Sequence, residues 1–271
     1  MNEFLSDAQF LRNRGLTARY RYGVVVDPGL ASIKELLRDG ISVAHSEIPG
    51  FAGRNLAPRF EALAGGTIEG FPALMLTGRG FYHETGDIAA MRRPLELMAA
   101  MGVENLILTG SAGSVNRDIP PGQLCIIRDH INLTGLDPLV GDRGEGRFVN
   151  MAAAYAPKFR ARLRKAASDA SVRVSEATYM FFPGPSSETP AETRAAKLLG
   201  ADLVGMSVAP ETVIARRLGM DAGAIAVVTN YAAGIDDAHA SPEAMLRLAG
   251  DRALSFRRLI TCFFRGLGDA V

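Results

Sequence analysis

The chain carries little excess charge and no long apolar run, and each absence excludes a class of protein. Its 271 residues have a formal net charge of +1, which gives no bulk attraction to nucleic acid or to an anionic membrane. No stretch approaches the roughly 18 apolar residues of a membrane span. Acids and arginines interrupt residues 1–14, so this segment does not read as a signal peptide. We therefore expect a cytoplasmic protein without nucleic-acid or membrane partners.

The chain also has few cysteines. Cys125 and Cys262 both lie among apolar residues, which predicts two buried free thiols in a reducing compartment. No group of cysteines and histidines has the spacing of metal ligands, so we expect no metal site and no cofactor-binding residues.

What is present is a globular composition, with 48% apolar and 22% charged residues. Short β-branched runs alternate with longer helical patterns, and no repeat or linker interrupts them. Near-continuous apolar strands between helices are typical of an α/β fold whose central sheet is covered on both faces. We predict one domain over residues 1–271. The predicted strands are 22–26, 73–76, 105–109, 123–127, 179–182, 203–206 and 224–229. The predicted helices are 31–37, 88–100, 155–168, 190–199, 210–218 and 242–264.

Several short segments together resemble the trimeric purine nucleoside phosphorylases and their methylthioadenosine phosphorylase relatives. The main ones are Ser46-Glu47-Ile48-Pro49, Thr77-Gly78-Arg79, Thr109-Gly110-Ser111-Ala112-Gly113, Gly184-Pro185-Ser186-Ser187-Glu188-Thr189, Gly205-Met206-Ser207 and Thr229-Asn230. The resemblance implies an α/β fold with a central mixed β-sheet flanked by helices on both faces. It implies phosphorolysis of a purine nucleoside to free base and ribose 1-phosphate, a pentosyltransferase reaction with inorganic phosphate as co-substrate and no cofactor.

The resemblance assigns residues to the base and ribose ends of the site. Glu188 and Asn230 match the catalytic pair that binds the purine, and an asparagine there indicates a 6-oxopurine. Met206 matches a methionine that packs on the sugar. Phe148 matches an aromatic ring lent by a neighbouring subunit, so the resemblance implies a homotrimer.

At the phosphate end the agreement is mixed. Arg79, Ser111 and Ser207 match phosphate-binding positions, and a guanidinium suits an oxyanion. A family serine aligns with Pro28, which follows the acidic Asp27. We therefore expect an altered phosphate site with weakened affinity.

Other substrate-contacting positions also depart from the family. A family asparagine aligns with Gly110, and a family histidine aligns with Phe81. His83 and His239 are candidates to replace missing histidines.

These departures leave two further hypotheses open. One is a relative with changed chemistry, either a nucleoside hydrolase in which Asp27 or His83 orients water or a phosphorylase of a 5′-modified nucleoside. The other is a non-catalytic protein that binds purine nucleosides. Glu211 is predicted to be a buried or helix-start acid rather than a base.

Overall fold

The structure is a computed structural model that describes residues 2–51, 61–236 and 241–268. These residues form nine strands and seven α-helices. The strands are β1 (Tyr22–Val26), β2 (Arg38–Ala44), β3 (Ala62–Ile68), β4 (Phe71–Thr77), β5 (Asn105–Ser114), β6 (Leu124–Ile131), β7 (Val174–Phe181), β8 (Leu203–Gly205) and β9 (Asp221–Tyr231). The helices are α1 (Asn2–Asn13), α2 (Tyr82–Thr85), α3 (Arg92–Ala100), α4 (Pro157–Asp169), α5 (Pro190–Leu198), α6 (Ala209–Arg217) and α7 (Pro242–Gly268). Short 3₁₀ helices cover Pro28–Leu36, His45–Glu47 and Ile88–Met91.

The nine strands form one mixed sheet in the order β2-β3-β4-β1-β5-β8-β7-β6-β9. Strand β5 also pairs with β9, so β5, β8, β7, β6 and β9 close into a ring. Strands β4, β1, β5 and β9 run parallel to one another, which brings their carboxyl ends to one edge of the sheet. Ligands of open α/β sheets bind at such an edge.

Helices cover both faces of the sheet. Alternate strand residues point to opposite sides, so the apolar strands present apolar side chains on both faces. Val25 packs in a core that includes buried residues of α1, α3 and α6. Val24 and Val26 pack on the other side, in a core built with buried residues of α4 and α7. The predicted α/β architecture with a mixed sheet and helices on both faces is confirmed.

The predicted elements are largely confirmed, with several corrections. The residues predicted as one helix over 88–100 form a 3₁₀ turn followed by α3. Residues 31–37 lie largely in a 3₁₀ helix with a kink at Leu30 rather than in an α-helix. Strands β2 and β3 and helix α1 were not predicted. The Ser241 hydroxyl caps α7, since it accepts from the Ala244 N–H at 3.2 Å.

The two cysteines differ in burial. Cys125 is fully buried in the sheet, and burial raises the pKa of its thiol to about 12. Cys262 is only half-buried, which corrects the prediction, because it lies on α7 at the margin of a core cluster. No helix within the described ranges is long and apolar enough to cross a membrane. The described residues contain no group of three or more His, Cys, Asp or Glu arranged for a metal ion.

Candidate active site

Arg79 follows β4 and is almost fully buried, with 1% of its surface exposed. Its Nη1 donates to both carboxylate oxygens of Glu211 at 2.9 Å. Its Nη2 lies 3.4 Å from Asp27 Oδ2 and also donates to the Thr109 carbonyl. Burial disfavours the charged guanidinium, but Glu211 and Asp27 outweigh this penalty and raise the pKa of Arg79 above its ordinary value. Arg79 is therefore a fixed cation.

Asp27 follows β1 and faces Arg79 from the neighbouring strand. Its Oδ1 accepts from the Gly29 N–H at 3.0 Å and from the Ser111 hydroxyl at 3.1 Å. Its own N–H donates to Thr109 Oγ1 at 2.8 Å, which fixes the backbone at the end of β1. Asp27 is 6% exposed. The carboxylate therefore lies among hydrogen-bond donors of three different elements.

Ser207 enters the same region through a tight turn between β8 and α6. The Ala209 N–H donates to the Ser207 carbonyl at 2.7 Å, and Val208 between them has φ 63° and ψ −57°, the geometry of a strained γ-turn. Glu211 accepts from the Val208 N–H at 2.8 Å, so the side chain that holds Arg79 also holds this turn. Glu211 is a buried helix-start acid, as predicted, but its contact with Arg79 was not predicted.

Gly110 lies where these groups meet. A Cβ at this position would lie 3.0 Å from Val208 Cγ2, 3.1 Å from Ser207 Oγ and 3.8 Å from Arg79 Nη2. Four residues predicted from the resemblance, Arg79, Gly110, Ser111 and Ser207, are thus brought together. We call Arg79, Asp27, Ser111, Ser207 and Glu211 the Arg79 cluster.

Asn230 lies on β9, which pairs with β5, at a level further along β5 than Gly110. It pairs with Gly113 in the β5–β9 ladder, and a Cβ on Gly113 would lie 3.3 Å from Asn230 Nδ2. Its Oδ1 accepts from Thr229 Oγ1 and its Nδ2 donates to the Tyr231 carbonyl, both at 2.9 Å. Gly113 lies three residues beyond Gly110 on β5, a rise of about 10 Å. That length is comparable to the span of a nucleoside from sugar to base.

Glu188 lies in the loop between β7 and α5, and both ends of this loop contact the site. A side chain on Gly184 would collide with Met206, the neighbour of Ser207. At the other end, Pro190 packs against Gly234, which follows β9. The loop therefore runs from the predicted ribose methionine to the turn beyond Asn230.

Glu188 does not cap the following helix. The Thr189 hydroxyl accepts from the Glu192 N–H at 3.2 Å, and Glu192 closes the capping box. Desolvation raises the pKa of Glu188 above its ordinary value, and Glu192 adds to the effect. A partly desolvated carboxylate without a capping role is suited to accept from a ligand N–H.

Phe148 and His83 are not brought into this arrangement. Phe148 is 87% exposed and lies under the Arg147 guanidinium on a surface loop, 4.7 Å from ring centroid to Cζ. His83 stacks on Phe81 with ring centroids 5.1 Å apart, and the Phe81 ring in turn contacts Arg79 at 5.4 Å. Phe81 thus holds the position beside Arg79. His239 lies outside the described residues.

Comparison with known proteins agrees with this geometry. Residues 33–262 match the phosphorylase superfamily. Purine nucleoside phosphorylase 1 of Geobacillus stearothermophilus is 34% identical over 96% of both chains. The Mycobacterium leprae purine nucleoside phosphorylase is 38% identical over 84% of this chain and 82% of its own. The schistosoma purine nucleoside phosphorylase solved with hypoxanthine has 27% identity and a TM-score of 0.90, over 97% of this chain and 96% of that one. The chain therefore belongs to the phosphorylase superfamily and, within it, to the purine nucleoside phosphorylases.

Proposed function

We propose that this protein cleaves a 6-oxopurine nucleoside by phosphorolysis, giving free base and ribose 1-phosphate. The observation that carries the proposal is that β5 joins two chemically different ends of the candidate site, one cationic and one with a neutral amide. One end is the buried guanidinium of Arg79 with Ser207 and Gly110. The other is Asn230 beside Gly113. A nucleoside lying along β5 would have its sugar at the cationic end and its base at the amide end.

In this arrangement each end stabilises one part of the reaction. Phosphate held by Arg79 attacks the anomeric carbon, the N-glycosidic bond breaks, and the sugar passes through an oxocarbenium-like transition state. Negative charge then develops on the leaving purine. Asn230 donates to the purine and Glu188 accepts from its ring N–H, so both lower the energy of that charge distribution.

Arg79 retains one feature that favours an anionic ligand. Its buried Nε has no hydrogen-bond partner among the residues that the structure describes. A buried donor without a partner is costly, and an oxyanion would satisfy it. We propose inorganic phosphate as the co-substrate, with no organic cofactor.

The solved relatives support a purine nucleoside as substrate. A structure of the Schistosoma mansoni enzyme with inosine, at 27% identity, has a TM-score of 0.86 over 96% of both chains. We further propose a cytoplasmic homotrimer in which the Phe148 ring reaches the site of a neighbouring subunit, as the resemblance of its segment implies. The ring is 87% exposed, so it is open to such a contact.

Base selectivity tests the proposal at Asn230. The wild-type protein should release base from inosine and guanosine in the presence of phosphate, and turn over adenosine poorly. Asn230→Asp should lower kcat/KM for inosine and raise the adenosine-to-inosine ratio, because a carboxylate accepts from a 6-amino group but cannot donate to a 6-oxo group. A variant with the wild-type ratio would show that Asn230 does not contact the base.

A further inference from the structure

Asp27 makes the contacts that an anion bound at Arg79 would make. Its carboxylate accepts from the Gly29 N–H at 3.0 Å and the Ser111 hydroxyl at 3.1 Å, and its second oxygen lies 3.4 Å from Arg79 Nη2. A backbone N–H, a hydroxyl and a guanidinium are the donors that proteins use for phosphate. In the structure these donors are occupied by a side chain of the same protein.

The remaining donors of Arg79 are also used, apart from Nε. Nη1 donates to Glu211, and Nη2 is shared between Asp27 and the Thr109 carbonyl. Two buried carboxylates face this one guanidinium. A phosphate dianion that entered while Asp27 kept its position would meet a like charge at short range, in a site with little water to screen it.

We propose that the Asp27 carboxylate is an internal anion that competes with phosphate for Arg79 and Ser111, and that phosphate binds by displacing it. This inference rests on the proposed function, because it assigns the site of Arg79 to the phosphate co-substrate. Only the side chain has to rotate, since the Asp27 N–H remains bonded to Thr109 Oγ1 at 2.8 Å. Asp27 therefore sets the phosphate concentration at which the protein works.

Direct binding of inorganic phosphate, without nucleoside, tests the proposal independently of turnover. Isothermal titration calorimetry would compare the wild-type protein with Asp27→Asn and Asp27→Gly. Both variants should bind phosphate about 10- to 100-fold more tightly, because one competing, charge-assisted set of hydrogen bonds is removed. Acetate should compete with phosphate in Asp27→Gly, where it can replace the missing carboxylate, and should have little effect on the wild-type protein.

Asp7→Asn is the matched control. Asp7 is a buried carboxylate 3.6 Å from the Arg93 guanidinium, a pair outside the Arg79 cluster. Its removal should leave phosphate affinity at the wild-type value. If both Asp27 variants bind phosphate no more tightly than the wild-type protein, the proposal is wrong.

A structure of the wild-type protein with phosphate provides a readout that needs no variant. The proposal predicts that Asp27 no longer bonds to Ser111 when phosphate is bound at Arg79. Phosphate bound there with the Asp27–Ser111 hydrogen bond intact would overturn it. Cleavage of inosine by water alone, lost in Asp27→Asn, would also overturn it, because Asp27 would then act as a base.

The outcomes separate this inference from the proposed function. The Asp27 variants could bind phosphate more tightly while the protein turns over no purine nucleoside. That result would support the proposal that Asp27 is an internal anion and contradict the proposal that the protein is a phosphorylase. Conversely, the protein could produce ribose 1-phosphate while the variants bind phosphate with unchanged affinity. That result would support the phosphorylase function and contradict the role of Asp27 as an internal anion.

Discussion

At the scale of single residues, the two ends of the site differ in how their charges are stabilised. Arg79 is held between two carboxylates, so its positive charge persists over the whole accessible pH range. At the other end, desolvation by burial raises the pKa of Glu188. Glu188, at the proposed base end, is therefore expected to gain its proton at a higher pH than an ordinary glutamate.

Glu188 is expected to control the acid limb of the pH profile. Its ordinary pKa of 4.5 is raised by burial. As pH falls through the raised value, the carboxyl gains a proton and can no longer accept from the purine ring N–H. We expect kcat/KM for inosine to fall on that side, at a pH above the ordinary glutamate value. Glu188→Gln should lower kcat/KM by about 10²- to 10³-fold and abolish this limb in steady-state assays from pH 4 to 9.

Glu192→Gln is the matched control for Glu188. Glu192 lies in the first turn of α5, where its hydrogen bonds to Thr189 lower its pKa. The acid limb should remain in this variant. A wild-type rate in Glu188→Gln would show that the purine is bound elsewhere.

At the scale of elements, the loop between β7 and α5 depends on Gly184. Its φ of +66° and its contact with Met206 both exclude a side chain. Gly184→Ala should displace Met206, raise KM for the nucleoside and lower the free energy of unfolding. Steady-state kinetics and urea denaturation would measure the two effects. Gly200→Ala is the control, because Gly200 has φ +95° with open space around its Cβ. It should lose stability without a change in KM, and an equal KM effect in both variants would contradict the assignment.

The start of α6 depends on Glu211 in a similar way. Glu211→Ala removes the main partner of a buried guanidinium and the acceptor for the Val208 N–H. Breaking a buried pair on one side costs about 3–5 kcal/mol of unfolding free energy. Urea denaturation should show this loss. Glu211→Gln should lose less, because its amide oxygen still accepts.

The control for Glu211 is Glu192→Ala. Both glutamates occupy the third position of a helix and accept from the backbone N–H of the residue that precedes it, but Glu192 is exposed. Its removal should have a much smaller effect. Equal losses in the two variants would mean that Glu211 serves only as a cap.

The sequence predicts those strands and helices that have a clear apolar pattern and misses those that do not. Strand β1 is apolar over most of its length and is predicted with its observed bounds. Strand β2 is mostly exposed and begins with two charged residues, and β3 contains adjacent glycines, so neither has the composition of a strand. These strands form by pairing, β3 with β4 and β2 with β3, and the periodicity of the sequence does not report such pairing.

The same limit applies to the site. Arg79, Ser111, Ser207 and Asn230 could be identified because they lie in segments that resemble the family. The contacts of Asp27 with Ser111 and of Glu211 with Arg79 join residues 84 and 132 positions apart. No local pattern indicates such contacts. The sequence shows that Asp27 departs from the family. Only the three-dimensional structure shows that its carboxylate lies among the hydrogen-bond donors of the site.

At the scale of the whole molecule, one mixed sheet brings the cluster together. Strands β4, β1 and β5 lie side by side. Arg79 and Asp27 follow the carboxyl ends of β4 and β1, and Ser111 lies in the part of β5 that extends past β1. The β5–β9 pairing extends the site to Asn230. The architecture thus places the proposed anion site and the proposed purine site at the two ends of one strand segment.

The most direct test of this account is the sugar product formed from inosine as phosphate is varied, followed by ³¹P and ¹H NMR. We predict ribose 1-phosphate in equal amount to hypoxanthine, at a rate that increases with phosphate concentration and vanishes without it. Free ribose, formed at a rate that does not depend on phosphate, would contradict the account. It would mean that water, rather than phosphate, attacks the sugar beside Arg79.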